Sequence, residues 1–175
     1  MQNYLVVSTL IDNSNEIIHT FAKLAKSSGC NIVESRFNVL GQELSIMLFL
    51  SGSWNEIAKM EDLLRKLEAE LKINILMHRT QTPDLNGEAM PYAVDVVGID
   101  RPGVILEITD FMSNSNLIIQ DMSSNTYKAS QTGAKMFSLH MTVKISLDTS
   151  IAAIRGDFID FCDRLNLDAI MEPIK

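Results

Sequence analysis

Two rhythms of apolar residues alternate along this chain, and each half runs through them in the same order. Residues 4–11 are rich in Val, Leu and Ile and predict a strand. Ile17, Ile18, Phe21, Leu24 and Ala25 then fall on one face of a helix, and Gly29 supplies its stop signal. Two extended segments, 31–40 and 43–50, meet at Gly41-Gln42, where a tight turn suits the glycine. Ser53-Trp54-Asn55-Glu56 reads as a capping box: the Ser53 hydroxyl accepts from the Glu56 amide while the Glu56 carboxylate reaches back. It opens a helix to about Glu70, with Trp54, Ile57, Leu64, Leu67 and Leu71 predicted inside. Residues 72–79 alternate again, with Ile73, Ile75 and Met77 sharing a face.

The second half repeats the plan. A strand is predicted over 91–98 and a helix over 102–115, with Val104, Ile105, Ile108 and Phe111 on its apolar side. Strands follow over 117–127 and 134–145, the latter alternating Phe137, Leu139, Met141, Val143 and Ile145. A helix over 150–165 and a strand over 167–174 close the chain, and Pro173 suits a strand end or a sheet edge. Tyr4, Val6, Ile11 and Asp12 match Tyr92, Val94, Ile99 and Asp100 at a constant offset. Between the halves, TQTPDLNGEAM has linker composition. The order β-α-β-β-α-β, met twice, predicts an α+β chain of two tandem ferredoxin-like domains. Each is an antiparallel sheet with helices on one face. The expected bounds are 1–80 and 91–175, with a linker at 81–90. A unit of about 80 residues buries only about 60–65% of its unfolded surface, so its open sheet edge and bare face invite a second copy.

Charge narrows the partners. Lys plus Arg number 15 against 22 Asp plus Glu, a net charge of −7, and no basic run interrupts it. Such a field opposes nucleic-acid backbones and anionic lipid surfaces, so no direct DNA or membrane binding is expected. No apolar run approaches the roughly 20 residues needed to span a bilayer. The N-terminus MQNYLVVSTLIDNSNE reads as a first strand, not a signal peptide. Cys30 and Cys162 are far apart, with no C-x-x-C spacing, and suit reduced thiols in a cytoplasmic protein.

The chemistry of a small α+β sheet is equally constrained. Ser45, Met47, Ser138 and His140 offer no aromatic platform for RNA bases. The first loop lacks the cysteine pair of a metal chaperone. His19, His78 and His140 are scattered and are expected to be structural or solvated. No nucleophile, base and acid can be assembled, so no catalytic residue, metal ligand or cofactor is predicted and the chain reads as a non-enzyme.

One loop retains interest. In GIDRPGVILEITDFM, Asp100-Arg101-Pro102-Gly103 joins a strand to a helix. Unpaired amides and partial positive charge at a helix start favour a carboxylate, Gly103 permits close approach, and Arg101 can add a bidentate contact. The same residues also suit a plain turn: Asp100 as N-cap, Pro102 in the first turn, and Gly103 relieving crowding against the sheet. The matching stretch of the first repeat, Asp12-Asn13-Ser14-Asn15, suits a cap better than a receptor.

With the Gly29-Cys30-Asn31-Ile32 entry to a second strand, these features resemble tandem ACT domains. More narrowly, GCNIVESRFNVLGQELSIMLFLSGSWNEI, residues 29–57, resembles the glycine cleavage system transcriptional repressor family. The resemblance implies a regulator that senses a small, glycine-like amino acid at domain interfaces near the first loop. It implies action through a protein partner, a LysR-type transcription activator, and a homo-oligomer, here expected as a dimer. The ligand residues it points to are Asp100, Arg101, Pro102, Gly103, Val104 and Ile105, with Asp12, Asn13, Ser14, Asn31 and Ile32 in the first repeat. The family usually carries Asp-Arg-Pro-Gly in its first repeat, whereas here the motif stands in the second. A free-standing ACT regulatory subunit of an amino-acid metabolic enzyme is the alternative.

Overall fold

The structure, a computed structural model, describes residues 2–12, 15–81, 89–146 and 150–174. The chain divides into two units, Met1–Pro83 and Asp84–Lys175. The first runs β1 (Asn3–Asp12), α1 (Asn15–Ser28), β2 (Asn31–Leu40), β3 (Glu43–Gly52), α2 (Trp54–Leu71) and β4 (Ile75–Thr80). The second runs β5 (Ala89–Ile99), α3 (Val104–Asn114), β6 (Ile118–Lys128), β7 (Lys135–Ser146), α4 (Ile151–Arg164) and β8 (Leu167–Pro173). Each sheet is antiparallel and four-stranded, in the orders β2-β3-β1-β4 and β6-β7-β5-β8. These are two ferredoxin-like βαββαβ units, as the two rhythms predict. Pro173 ends β8, an edge strand, where its missing amide costs no ladder bond on the outer side.

Strand alternation builds each core. On β3, Leu44, Ile46, Leu48 and Leu50 are buried and meet Leu5 and Val7 of β1, Phe21 of α1 and Ile57, Met60 and Leu64 of α2. On β7, Phe137, Leu139, Met141, Val143 and Ile145 play the same part, with Val94, Val96, Ile108, Met112 and Phe158. On the opposite faces, Tyr4 stacks on Phe49 in the first unit, and Asp95 meets His140 at 2.7 Å in the second. Cys30 and Cys162 are both buried thiols, with burial pushing the Cys162 pKa up to about 12.

The capping box forms as expected. Glu56 donates its amide to Ser53 Oγ at 3.4 Å, and the Ser53 amide donates to Glu56 Oε2 at 2.6 Å. These bonds hold the Glu56 carboxyl below the usual carboxylate range. Glu56 also lies over Gly29, where a Cβ would come within 2.9 Å of its Oε1. Gly29, at φ +91°, thus serves both the end of α1 and the start of α2.

Several expectations are corrected. Trp54 is 61% exposed, because it stands at the first helical position and Arg79 on edge strand β4, not the core, covers its ring. Leu71 is likewise exposed at the last position of α2, while Met60 and Met112 are fully buried instead. Ile105 is exposed rather than core-facing. The strand expected over 72–79 begins only at Ile75, since Lys72 adopts a left-handed conformation that ends α2. The linker expected over 81–90 lies mostly outside the described residues, and Ala89 and Met90 already belong to β5.

Candidate functional site

The turn between β5 and α3 departs from the plain-turn reading in its cap and from the receptor reading in the pairing of Arg101. Asp100 is not the N-cap. Its amide donates to the Lys135 carbonyl at 3.0 Å, and its Oδ2 meets Lys135 Nζ at 2.8 Å, so the side chain is tied to the start of β7. Pro102 precedes the helix rather than entering it, and α3 starts at Val104 with Gly103 as its N-cap. Gly103 sits at φ +90°, a region that favours glycine, and a Cβ there would meet nothing within 4 Å. Backbone conformation, not crowding against the sheet, is what the position demands.

This cap has a chemical consequence. A glycine N-cap offers no side-chain acceptor, and α3 has no capping side-chain hydrogen bond. The first intrahelical bond runs from the Glu107 amide to the Gly103 carbonyl at 3.1 Å. The amides of Val104, Ile105 and Leu106 therefore precede the helix's own ladder and carry its partial positive charge. Arg101 does not project as a free fork. Its guanidinium makes two hydrogen bonds to the Glu107 carboxylate, through Nη1 at 2.9 Å and through Nη2. That pairing holds the Glu107 carboxyl below the usual range and raises Arg101.

A groove of about 380 Å³ opens at this turn. Asp100, Arg101, Gly103, Val104 and Ile105 line one side, so the structure brings most of the second-repeat candidates together; Pro102 is exposed beside them. The opposite wall is Ser124, Asn125 and Thr126 of β6 with Phe137 of β7. The sequence marks Phe137 only as a core position and singles out none of the others, nor Glu107 or Lys135. One readable sign was present: Ser124 and Thr126 pair with buried Leu139 and Phe137, so they are polar at positions whose parity calls for apolar side chains.

The first repeat differs in chemistry. Asn13 and Ser14 lie outside the described residues. Asp12 borders a larger groove, about 770 Å³, whose charged lining is Asp12, Glu16, Glu43 and Glu70 against the single Lys72. That surplus of carboxylates repels an anion. Asn31 and Ile32 are not brought to Asp12 within the unit. Asn31 pairs with Ser51, whereas Asp12 pairs with Glu43, eight residues along β3, or about 27 Å. Among the described residues no group of three or more His, Cys, Asp or Glu could hold a metal ion, and no helix is long and apolar enough to cross a membrane.

Two βαββαβ units, the second with its first loop lining a groove, define a tandem ACT-domain protein. The ACT domain family model matches residues 3–78. The chain is 31% identical to the glycine cleavage system transcriptional repressors of Escherichia coli K12 and Shigella flexneri, over 94% of its own length and 87% of theirs. It belongs to the glycine cleavage system transcriptional repressor family. Its fold matches a crystal structure assigned to such a repressor, at 22% identity, TM-score 0.74 and coverage of 100% of this chain and 99% of that one. It also matches a protein of unknown function from Galdieria sulphuraria, at 17% identity and TM-score 0.79, each chain fully covered.

Proposed function

We propose that the chain is a non-enzymatic regulator that binds a small, glycine-like amino acid in the β5–α3 groove. It then signals through a protein partner, a LysR-type transcription activator, rather than by touching DNA. The observation that carries this reading is the start of α3. The helix begins without a capping side chain, its first residues Val104 and Ile105 line a small groove, and a carboxylate there completes the helix terminus. Asp100 stands at the same groove with one oxygen engaged by Lys135, and its charge complements an ammonium group. Together they present donors for the carboxylate and an acceptor for the amine of a zwitterion. Phe137 and Val104 supply apolar lining where a side chain would lie, favouring a small one. Arg101, already held by Glu107, serves to brace the loop and not to grip the ligand.

The partner reading rests on the family together with the net charge of −7, which opposes direct contact with DNA. Cytoplasmic location and a homodimer follow from the same reading. The direct test is titration with glycine, alanine, serine and leucine, followed by amide resonances. Glycine is expected to move Gly103 to Leu106 foremost, with Asp100→Asn weakening the response about tenfold by removing the ammonium partner. If no amino acid moves these amides, the sensing role is wrong. Capture from cell extract in the presence and absence of glycine then separates a transcription activator from a metabolic enzyme as the partner.

A further inference from the structure

At one end of the first sheet, the ladder between β1 and β3 closes with Asp12 directly opposite Glu43. Opposed residues of an antiparallel pair share a face, so two carboxylates meet where like charges destabilise a sheet. Both border the groove of about 770 Å³, which also takes Glu70 from the last turn of α2. Elsewhere the chain matches its conspicuous carboxylates with cations: Asp100 with Lys135, Glu107 with Arg101, and Glu61 with Arg79. Among the described residues no ion pair engages Asp12, Glu43 or Glu70, although Lys72 lines the same groove.

Much of the remaining lining is aliphatic. Ile17 and Leu67 are core residues that reach the groove, Ile73 is half-buried, and Leu10 and Leu71 are 60% and 40% exposed. Aliphatic surface open to water and bordered by charge marks a contact with another protein.

We propose that this groove docks a basic peptide segment of a partner protein, one in which Leu, Ile or Val side chains are flanked by Lys or Arg. The aliphatic side chains cover the Leu10, Ile17 and Leu71 surface, and the cations relieve the Asp12–Glu43 opposition and meet Glu70. Removal of apolar surface from water supplies the affinity, while charge selects the partner and speeds the encounter. A bare polyamine answers the carboxylates and leaves the branched aliphatic lining uncovered. An acidic or neutral apolar segment covers the lining and leaves Asp12 facing Glu43. The two features together specify a segment that carries both. This inference concerns a different site from the β5–α3 groove and holds whether or not that groove takes an amino acid.

The probe is the blocked hexapeptide Lys-Arg-Leu-Ile-Arg-Lys, titrated into the full chain. A fluorescent label reads affinity, and amide and methyl resonances read place. The hexapeptide is expected to move Leu10, Ile11, Leu71 and Ile73 while Val96 and Met141 of the second core stay still. Glu43→Lys combined with Glu70→Lys should weaken binding about tenfold or more, since two attractions become repulsions. Leu71→Ser should weaken it about fivefold by removing aliphatic contact. All three positions are exposed, so these substitutions spare the core. Replacing Leu-Ile of the peptide by Ser-Ser should cost about tenfold or more, and spermine should displace the labelled peptide poorly. If the serine peptide or spermine binds as tightly as the hexapeptide, the groove is a cation trap and the proposal fails. It fails equally if no resonance around the groove moves, or if the two lysine substitutions leave the affinity unchanged.

Discussion

At the scale of single residues, the side chains the sequence makes conspicuous are mostly engaged with their own neighbours. Arg101 is bound to Glu107, Asp100 to Lys135, and Arg79 to Glu61 through two hydrogen bonds of 2.8 Å. The last of these has an optical reporter, since the Arg79 guanidinium lies 5.5 Å from the ring centre of Trp54, the sole tryptophan. Arg79 holds the Glu61 carboxyl below its ordinary value of 4.5. A carboxylate whose pKa is depressed by folding contributes stability that is fully present above the ordinary value and fades as pH falls through the lowered one. Glu61→Gln is therefore expected to lower the urea midpoint modestly at pH 7. That deficit should shrink towards zero as the pH is lowered past 4.5 and below. Trp54 emission in the native chain should shift over the same acid range and stay flat in Glu61→Gln. A deficit that grows with acidification would mean the pair is not the source.

At the scale of elements, what was legible divides by physical cause. Strands and helices were readable because burial enforces a period, and every predicted element forms, with ends shifted by a few residues. The capping box was readable because its two partners are local. The β5–α3 turn was only half readable. Asp100 looked like a cap, but Lys135, 35 positions away in the chain, claims it, and no local rule reports a contact with a later hairpin. For the same reason β6 went unnoticed as the second wall of the groove. Trp54 was misplaced because helical spacing gives the phase of a stripe and not where the sheet beneath it ends. One local rule does yield a test. Gly156 lies inside α4, and a Cβ there would meet nothing within 4 Å. Since glycine costs about 0.5–1 kcal/mol against alanine in a helix interior, Gly156→Ala should stabilise the second unit by about that much in chemical denaturation. A loss of stability would mean the position serves a contact not made within this chain.

At the scale of the whole molecule, each unit owns a separate core. Phe21, Leu48, Met60 and Leu64 belong to one cluster and Val96, Met112, Met141 and Phe158 to the other. Stability should therefore be lost unit by unit. Phe158 of α4 is fully buried and packs its ring against Phe111 of α3 at 5.2 Å, so it joins both helices to the sheet. Truncating such a ring costs about 3–5 kcal/mol, from lost transfer energy and the cavity left behind. That is a large share of what a domain of this size can hold. Phe158→Ala should then release amide protection in β5, β7 and β8 while the amides of β1, β3 and β4 keep theirs. Phe21→Ala should do the reverse. The sensing groove belongs to the second unit, so Phe158→Ala should abolish the glycine response at Gly103 while Phe21→Ala leaves it intact. Hydrogen exchange on the two variants reads both cores, and loss of protection throughout the chain from either substitution would show that the units fold as one.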